Sequence, residues 1–338
     1  MRFALRQIDL FERDVRLRLP FRFGIVTLTA APQAFVRARI RLDDGREAEG
    51  AAAELLAPKW FDKNPALANE QNFDQLRLSL TLARETYLAG GANSAFGHFW
   101  THYESHMAQA AARGLNALTA NFGPALIDRA ALDALCRALG ISFYQAIRDN
   151  VVGMRNSGTE PEFGRFLATL EPSSRIAARH TVGLVDPITS VEQRVNDGLP
   201  ETLEEVVARY GHRWFKLKVG GDVGADVERL AAIASVLDRL PDYAVSLDGN
   251  EQYDSIDGVL ELWRRIKAEP RLRRLVASIA FIEQPIKRQN ALTADVFALA
   301  REKPLIIDES DETLDAFPRA RALGYRGVSS KTCKGIYK

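Results

Sequence analysis

Lys216 and Lys218 alternate with apolar residues in the run Trp214-Phe215-Lys216-Leu217-Lys218-Val219-Gly220. A strand sends every second side chain to the same face. Phe215, Leu217 and Val219 then share one side, and Trp214, Lys216 and Lys218 the other, with two ammonium groups together at the carboxyl end. Neighbouring like charge and burial both favour the neutral amine. They move a lysine from its usual pKa of about 10.4 toward the ~7–8 that suits a base near neutrality. Taken alone, the run reads more readily as a solvent-facing edge strand blunted by two lysines. The residues downstream separate these readings, because the next four strands end in Asp248, Glu283, Asp308 and Lys331. Three acids at consecutive strand ends repel unless a cation lies among them. Carboxylate oxygens suit a hard octahedral ion such as Mg²⁺, completed by water or substrate. Alternation puts Ser246, Asp248 and Asn250 on one face and Ile306 with Asp308 on another, favouring Asp308 over its neighbour Glu309 as a ligand.

The elements that must position these groups follow from pattern. From about residue 176 short apolar strands alternate with helices, which predicts an α/β domain with a parallel sheet. Its predicted strands are His180 to Val185, the lysine strand, Tyr243 to Asp248, Ile279 to Glu283, Leu305 to Glu309 and Gly327 to Lys331. Two architectures fit. Gly220-Gly221-Asp222-Val223-Gly224 between strand and helix is similar to a loose dinucleotide-binding turn, although its glycines are not spaced G-x-G-x-x-G. A closed barrel instead gathers its active site at the carboxyl ends of its strands. The charged strand ends favour the barrel. In an eight-stranded ring the lysine pair on strand two and Lys331 on strand six stand opposite one another. The acids arc between them, which suits removal of a proton from one face of a carbon and delivery to the other.

Ahead of that domain, residues 3 to about 54 predict antiparallel strands, with a hairpin turn at Asp43-Asp44-Gly45. Apolar residues at helical spacing predict helices from 66 to about 150, the first broken at Gly90-Gly91 and another started by Gly123-Pro124. His98, His102 and His106 fall on one helix face and read as a surface or interface stripe rather than a zinc site. Residues 151–175, with Gly153, Ser157-Gly158, Pro161, Gly164 and Pro172-Ser173-Ser174, read as a linker or insertion. The expected domains are thus 1–150, 151–175 and 176–338. Aromatic segments around Phe21 and Phe23, and around Leu56 and Trp60, read either as hydrophobic plugs or as a cover over a ligand.

The motifs Lys216-Leu217-Lys218, Asp248-Gly249-Asn250, Glu283-Gln284-Pro285, Asp308-Glu309-Ser310 and Lys331 resemble, in order and spacing, the strand-end motifs of the enolase superfamily, in particular its muconate-lactonizing-enzyme subgroup. The resemblance covers nearly the whole chain. It implies a (β/α) TIM-type barrel under an N-terminal α+β capping domain. Strands seven and eight are absent from this sequence, which ends just beyond strand six. It further implies Mg²⁺, with Mn²⁺ as an alternative, bound by Asp248, Glu283 and Asp308, with Asn250 and Glu309 around them. Lys218 and Lys331 are the implied acid and base, with Lys216 assisting. The capping loops through Phe21, Phe23, Ile25, Leu56 and Trp60 are expected to cover the substrate. The expected activity is abstraction of the α-proton of a small-molecule carboxylate through an enediolate, leading to racemisation or epimerisation, cycloisomerisation or dehydration. The alternative is a catalytically silent barrel acting as a binding or structural subunit.

Composition narrows the remaining classes. With 45 basic and 44 acidic residues, no global field favours nucleic acid or an anionic membrane. Two distant cysteines, Cys136 and Cys333, make no disulfide framework and point to a reducing cytoplasm. Charge in Met1-Arg2-Phe3-Ala4-Leu5-Arg6 does not suit a signal peptide. No apolar run approaches the ~20 residues of a membrane span. A homo-oligomer is compatible with all of this.

Overall fold

The computed structural model describes residues 1–155 and 160–338; Ser157 and Gly158 of the expected linker lie outside the described residues. The chain divides into two compact units. The first takes Met1–Val15, Ala30–Arg175 and Lys331–Lys338, and the second Arg16–Thr29 and Ile176–Ser330. These are not the consecutive blocks expected from sequence, and local bonds explain why. Residues 16–29 go with the second unit because Arg18 pairs with Asp197 and Leu184 N donates to Arg22 O. Residues 331–338 go with the first because Arg129 bonds Thr332 and the Tyr337 ring packs on Phe96 and Phe99. Part of the expected linker also packs there: Leu167 is buried and Tyr144 Oη donates to Leu170 O at 2.6 Å.

Strands β1 (Phe3–Phe23), β2 (Val26–Leu42) and β3 (Glu47–Leu55) form a sheet in that order. β2 and β3 pair antiparallel with Arg39 opposite Glu49 and Arg41 opposite Glu47. Val36, Ala38, Ile40 and Leu42 are buried on the other face, as a half-buried strand of period two requires. The aromatic segment before Gly24 is strand rather than loop, and the chain turns at Gly24, φ +51°.

Helices α1 (Asn69–Ala89), α2 (Ala95–Ala112), α3 (Ala117–Leu139), α4 (Phe143–Arg148) and α5 (Glu160–Ala168) complete the first unit. Asn116 caps α3 by accepting from Thr119 N. Gly123 and Pro124 therefore lie inside α3 and do not start it. A proline there lacks the N–H that would bond the carbonyl four residues back. That carbonyl, Ala120 O, accepts instead from Ser79 Oγ and His106 Nε2, each at 2.8 Å. A Cβ on Gly123 would stand 2.2 Å from Ser79 O, so only glycine lets α1 and α3 approach this closely. His98 and His106 are 2% and 1% exposed. The expected surface stripe is therefore two buried histidines, His98 bonding Phe3 O at 2.9 Å and His106 mending the break at Pro124.

In the second unit six strands, β4 (Arg179–Val182), β5 (Trp214–Lys218), β6 (Ala244–Asp248), β7 (Ile279–Glu283), β8 (Leu305–Ile307) and β9 (Gly327–Val328), form one sheet. All adjacent pairs are parallel and their spatial order is their chain order. Helices α6 (Leu203–Tyr210), α7 (Val223–Leu237), α8 (Ile256–Ala268), α9 (Arg273–Ser278), α10 (Arg288–Ala291), α11 (Phe297–Ala300) and α12 (Ala316–Ala322) lie between the strands in sequence. A doubly wound fold reverses strand order at its switch point. This sheet does not, and it winds as a (β/α) barrel does. Phe215, Leu217 and Val219 join Leu230, Ile233 and Leu237 of α7 and Leu262 and Ile266 of α8 in one buried apolar cluster. That fixes the strand's orientation and leaves its lysines on the opposite face.

Candidate active site

Alternation along β5 and the register of its neighbours build the site. Lys218, Asp248 and Glu283 stand level across β5, β6 and β7. A one-residue register shift between Val245 and Ser246 brings Asp248 level with Glu283 instead of Ile282. Bulges commonly re-aim side chains in this way. Asp308 and Glu309 follow β8 directly. Asp248, Glu283, Asp308 and Glu309 are all 0% exposed, and Lys216 and Lys218 are 7% exposed.

Charges this deep must be satisfied by one another. Lys216 Nζ lies 2.6 Å from Asp248 Oδ2 and 2.8 Å from Glu283 Oε1. Lys218 Nζ lies 2.6 Å from the same Asp248 oxygen and also donates to Asn250 Oδ1. Asp248 Oδ1 accepts from Asn250 N at 2.9 Å, and Asn250 Nδ2 donates to Glu309 Oε1 at 2.9 Å. Burial pushes the Asp248 carboxyl up, but the ammonium groups of Lys218 and Lys216 outweigh it, so the group sits well below the usual carboxylate range. Burial lowers Lys218, partly offset by Asp248 and reinforced by Lys216. That is the direction a base near neutrality needs.

Several residues that the sequence reading did not single out hold this arrangement. Gln284 Oε1 accepts from the Asp308 and Ser310 backbone N–H groups at 2.8 and 3.1 Å, while its Nε2 donates to Ser310 Oγ and Ile286 O. Gln284 thus staples the end of β7 to the segment that carries Asp308. Arg288, on the segment after β7, grips Glu251 after β6 through both carboxylate oxygens at 2.8 Å. Asn250, Glu251 and Gln284 all have positive φ, +40°, +67° and +35°. For residues other than glycine this is strain of the kind that gathers at functional sites. A Cβ on Gly249 would stand 2.8 Å from Gln284 O, so the two strand ends touch through backbone. Only the positive φ at Asn250 had a sequence signal, since asparagine tolerates that region.

The remaining expected residues fall in different places. The Phe21 and Phe23 rings lie 5.7 Å apart and tilted near the tip of the β1–β2 hairpin, with Phe23 buried and Ile25 50% exposed. That tip reaches the lysine end of the sheet: a Cβ on Gly24 would lie 3.7 Å from Asn250 O. Leu56 and Trp60 are buried residues of the first unit, with Trp60 edge-on to Phe61 and Phe61 edge-on to Phe122. β9 stops at Val328, so Lys331 is not on the strand. It lies in the segment grouped with the first unit, its ammonium 4.6 Å from the Trp60 ring centroid. A cavity of about 820 Å³ lined by Phe21, His180, Val182 and Glu201 holds none of the strand-end charges.

Carboxylates from three adjacent strand ends are a hard-oxygen donor set of the kind Mg²⁺ accepts, and their chemistry fits that ion. Asp248 and Glu283 pair with the lysines, and among the described residues no three His, Cys, Asp or Glu side chains stand close enough to hold a metal. Nor is any helix among them long and apolar enough to cross a membrane.

Comparison with known proteins bears on the fold. Residues 198–334 match the family model described as enolase C-terminal domain-like. No curated protein matches the sequence. Among solved structures, N-succinyl Arg/Lys racemase from Bacillus cereus is 20% identical with a TM-score of 0.61, covering 99% of this chain and 73% of that one. A dipeptide epimerase from Enterococcus faecalis, complexed with Mg and L-Leu-L-Tyr, is 16% identical with a TM-score of 0.61, covering 98% and 75%. Muconate lactonizing enzyme from Pseudomonas fluorescens, complexed with muconolactone, is 20% identical with a TM-score of 0.59, covering 98% and 73%. Residues 198–334 thus resemble the enolase C-terminal domain-like model, and the chain has the fold of the mandelate racemase and muconate lactonizing enzymes.

Proposed function

We propose that the chain is a magnesium-dependent enzyme that removes the α-proton of a small carboxylate substrate through an enediolate, as an isomerase of the racemase, epimerase or cycloisomerase type or as a dehydratase. The observation that carries this reading is the pair of buried lysines meshed with carboxylates at the ends of β5, β6 and β7. Asp248, Glu283 and Asp308 would hold the ion. Magnesium, when bound, supplies positive charge against which an enediolate is stabilised. The protein's own groups do the rest. Lys218 takes the proton at Nζ, helped by the burial and neighbouring charge that lower its pKa. Asn250 and Asp248 fix the direction of that amine through its hydrogen bonds. Lys216 assists through its charge, and Lys331 is the second acid–base group. The hairpin tip at Phe21 to Ile25 covers the substrate, supported by its approach to Asn250. Leu56 and Trp60 are assigned to the same cover.

Solvent-deuterium exchange into dipeptides, N-acyl amino acids, acid sugars and muconolactone-like acids tests the proposal. A general base contributes roughly 10²–10⁴-fold. Lys218→Ala should therefore abolish exchange into one configuration of a responsive substrate, and Lys331→Ala exchange into the other. Undiminished exchange in both variants would refute the assignment.

A further inference from the structure

Lys216 makes contacts that neither the fold nor base chemistry at Lys218 requires. Its ammonium reaches an oxygen of Asp248 and an oxygen of Glu283 at once, at 2.6 and 2.8 Å. These are two of the three carboxylates assigned to the ion. The side chain is 7% exposed and rises from a strand whose other face is locked into the apolar cluster, so backbone movement cannot withdraw it. Two positive groups sharing one pair of carboxylates repel. A monovalent ammonium and a divalent ion therefore compete for the same oxygens.

We infer that Lys216 is a built-in competitor for the metal: its ammonium neutralises the carboxylates in the metal-free protein, and divalent-ion binding turns it out of the cluster. The inference rests on the proposed magnesium site. It assigns Lys216 a second role, that of setting metal affinity. The competition trades affinity for stability, because without Lys216 the carboxylates are crowded with fewer cations. Reciprocal coupling follows, since whatever draws the Lys216 ammonium outward, an anionic substrate included, strengthens metal binding by the same factor.

Calorimetric titration of the full chain with MgCl₂ at fixed pH tests this, comparing wild type, Lys216→Met and Asp248→Asn. Methionine keeps the length and loses the charge. Lys216→Met should bind Mg²⁺ about tenfold more tightly than wild type, within the usual range of coupling between ligands, and should melt at a lower temperature without Mg²⁺. If wild type binds Mg²⁺ in a manner lost in Asp248→Asn while Lys216→Met binds no more tightly, the competition is overturned and the magnesium site stands. If neither wild type nor Lys216→Met binds Mg²⁺, the site and the inference fall together. A second measurement needs only the wild-type protein. Acylation by an amine-reactive reagent, read at the Lys216 peptide by mass spectrometry, should speed up several-fold on adding Mg²⁺ as the amine is released. An unchanged rate overturns the inference even where the variant does not fold.

Discussion

Both units bury polar groups, and two sets of them are satisfied in different ways. In the first, several buried groups each answer one need. Ser79 and His106 serve the carbonyl orphaned by Pro124, His98 serves Phe3 O, and Asp128 takes the Tyr87 hydroxyl at 2.9 Å. In the second, Lys216, Lys218, Asp248 and Glu283 serve one another, on strand ends whose neighbours Asn250, Glu251 and Gln284 have positive φ. Groups that repair backbone belong to the scaffold. A closed cluster of charges on strained backbone gains the scaffold nothing that apolar packing could not supply. It is the pattern on which the proposed site rests, and perturbed ionisation there is its expected companion.

The comparison breaks most visibly at Asp248. Asp248→Ala leaves two lysines buried beside one fewer acid, and breaking such a cluster costs about 3–5 kcal/mol. Urea unfolding should show a loss of that size in the second unit, and a loss under about 1 kcal/mol would mean that the cluster is not dry. Ser79→Ala probes the other kind of burial. It removes the donor to Ala120 O and the acceptor of Gly123 N, at 2.8 and 2.9 Å. An unsatisfied buried group costs about 1–3 kcal/mol, and His106 still serves Ala120 O. A loss in that range, smaller than at Asp248, is expected from the same titration.

What the sequence disclosed follows the same division. Alternation in Phe215 to Val219 and the acids at Asp248, Glu283 and Asp308 were legible because strand parity and charge are local properties. The parallel, sequential sheet was legible from the rhythm of strand and helix. The position of α3 was not, because Gly123-Pro124 is a start signal that tertiary contacts override: Ser79 and His106 lie 44 and 17 residues away in sequence, beyond any local pattern. The histidines misled for the same reason, since their partners Phe3 O and Ala120 O are distant backbone. Arg288 and Glu251 were silent, and Gln284 was named only as part of a motif, because a staple between two loops has no period. Lys331 was placed on a strand by the rhythm of strand and helix, but β9 holds only Gly327 and Val328.

A pH titration sharpens the comparison inside the first unit. Burial pushes the Asp128 carboxyl well above its ordinary 3.8, with the Tyr87 hydrogen bond only partly opposing it. The folded chain then keeps a proton that the unfolded chain releases. With rising pH from about 3.8, stability falls until the folded-state pKa is passed. One such proton changes stability by at most about 1.4 kcal/mol per pH unit. Asp128→Asn carries no such proton, so its stability relative to wild type should grow with pH across that window. A difference independent of pH would show that Asp128 titrates as if exposed.

The smallest expected effect comes from the same charge chemistry without burial. Arg39 and Glu49 face each other across β2 and β3 at 2.6 Å, each 44% exposed. That geometry is as short as Lys216 with Asp248, so distance alone predicts equal importance. Solvent screening predicts otherwise, with exposed pairs worth about 0.2–1 kcal/mol and weakened by salt. A double-mutant cycle of Arg39→Ala and Glu49→Ala at low and high ionic strength should give a coupling in that range that shrinks with salt. A coupling that matched the loss at Asp248 would mean that proximity, and not burial, sets the weight of these charges, and the contrast between the two units would lose its physical basis.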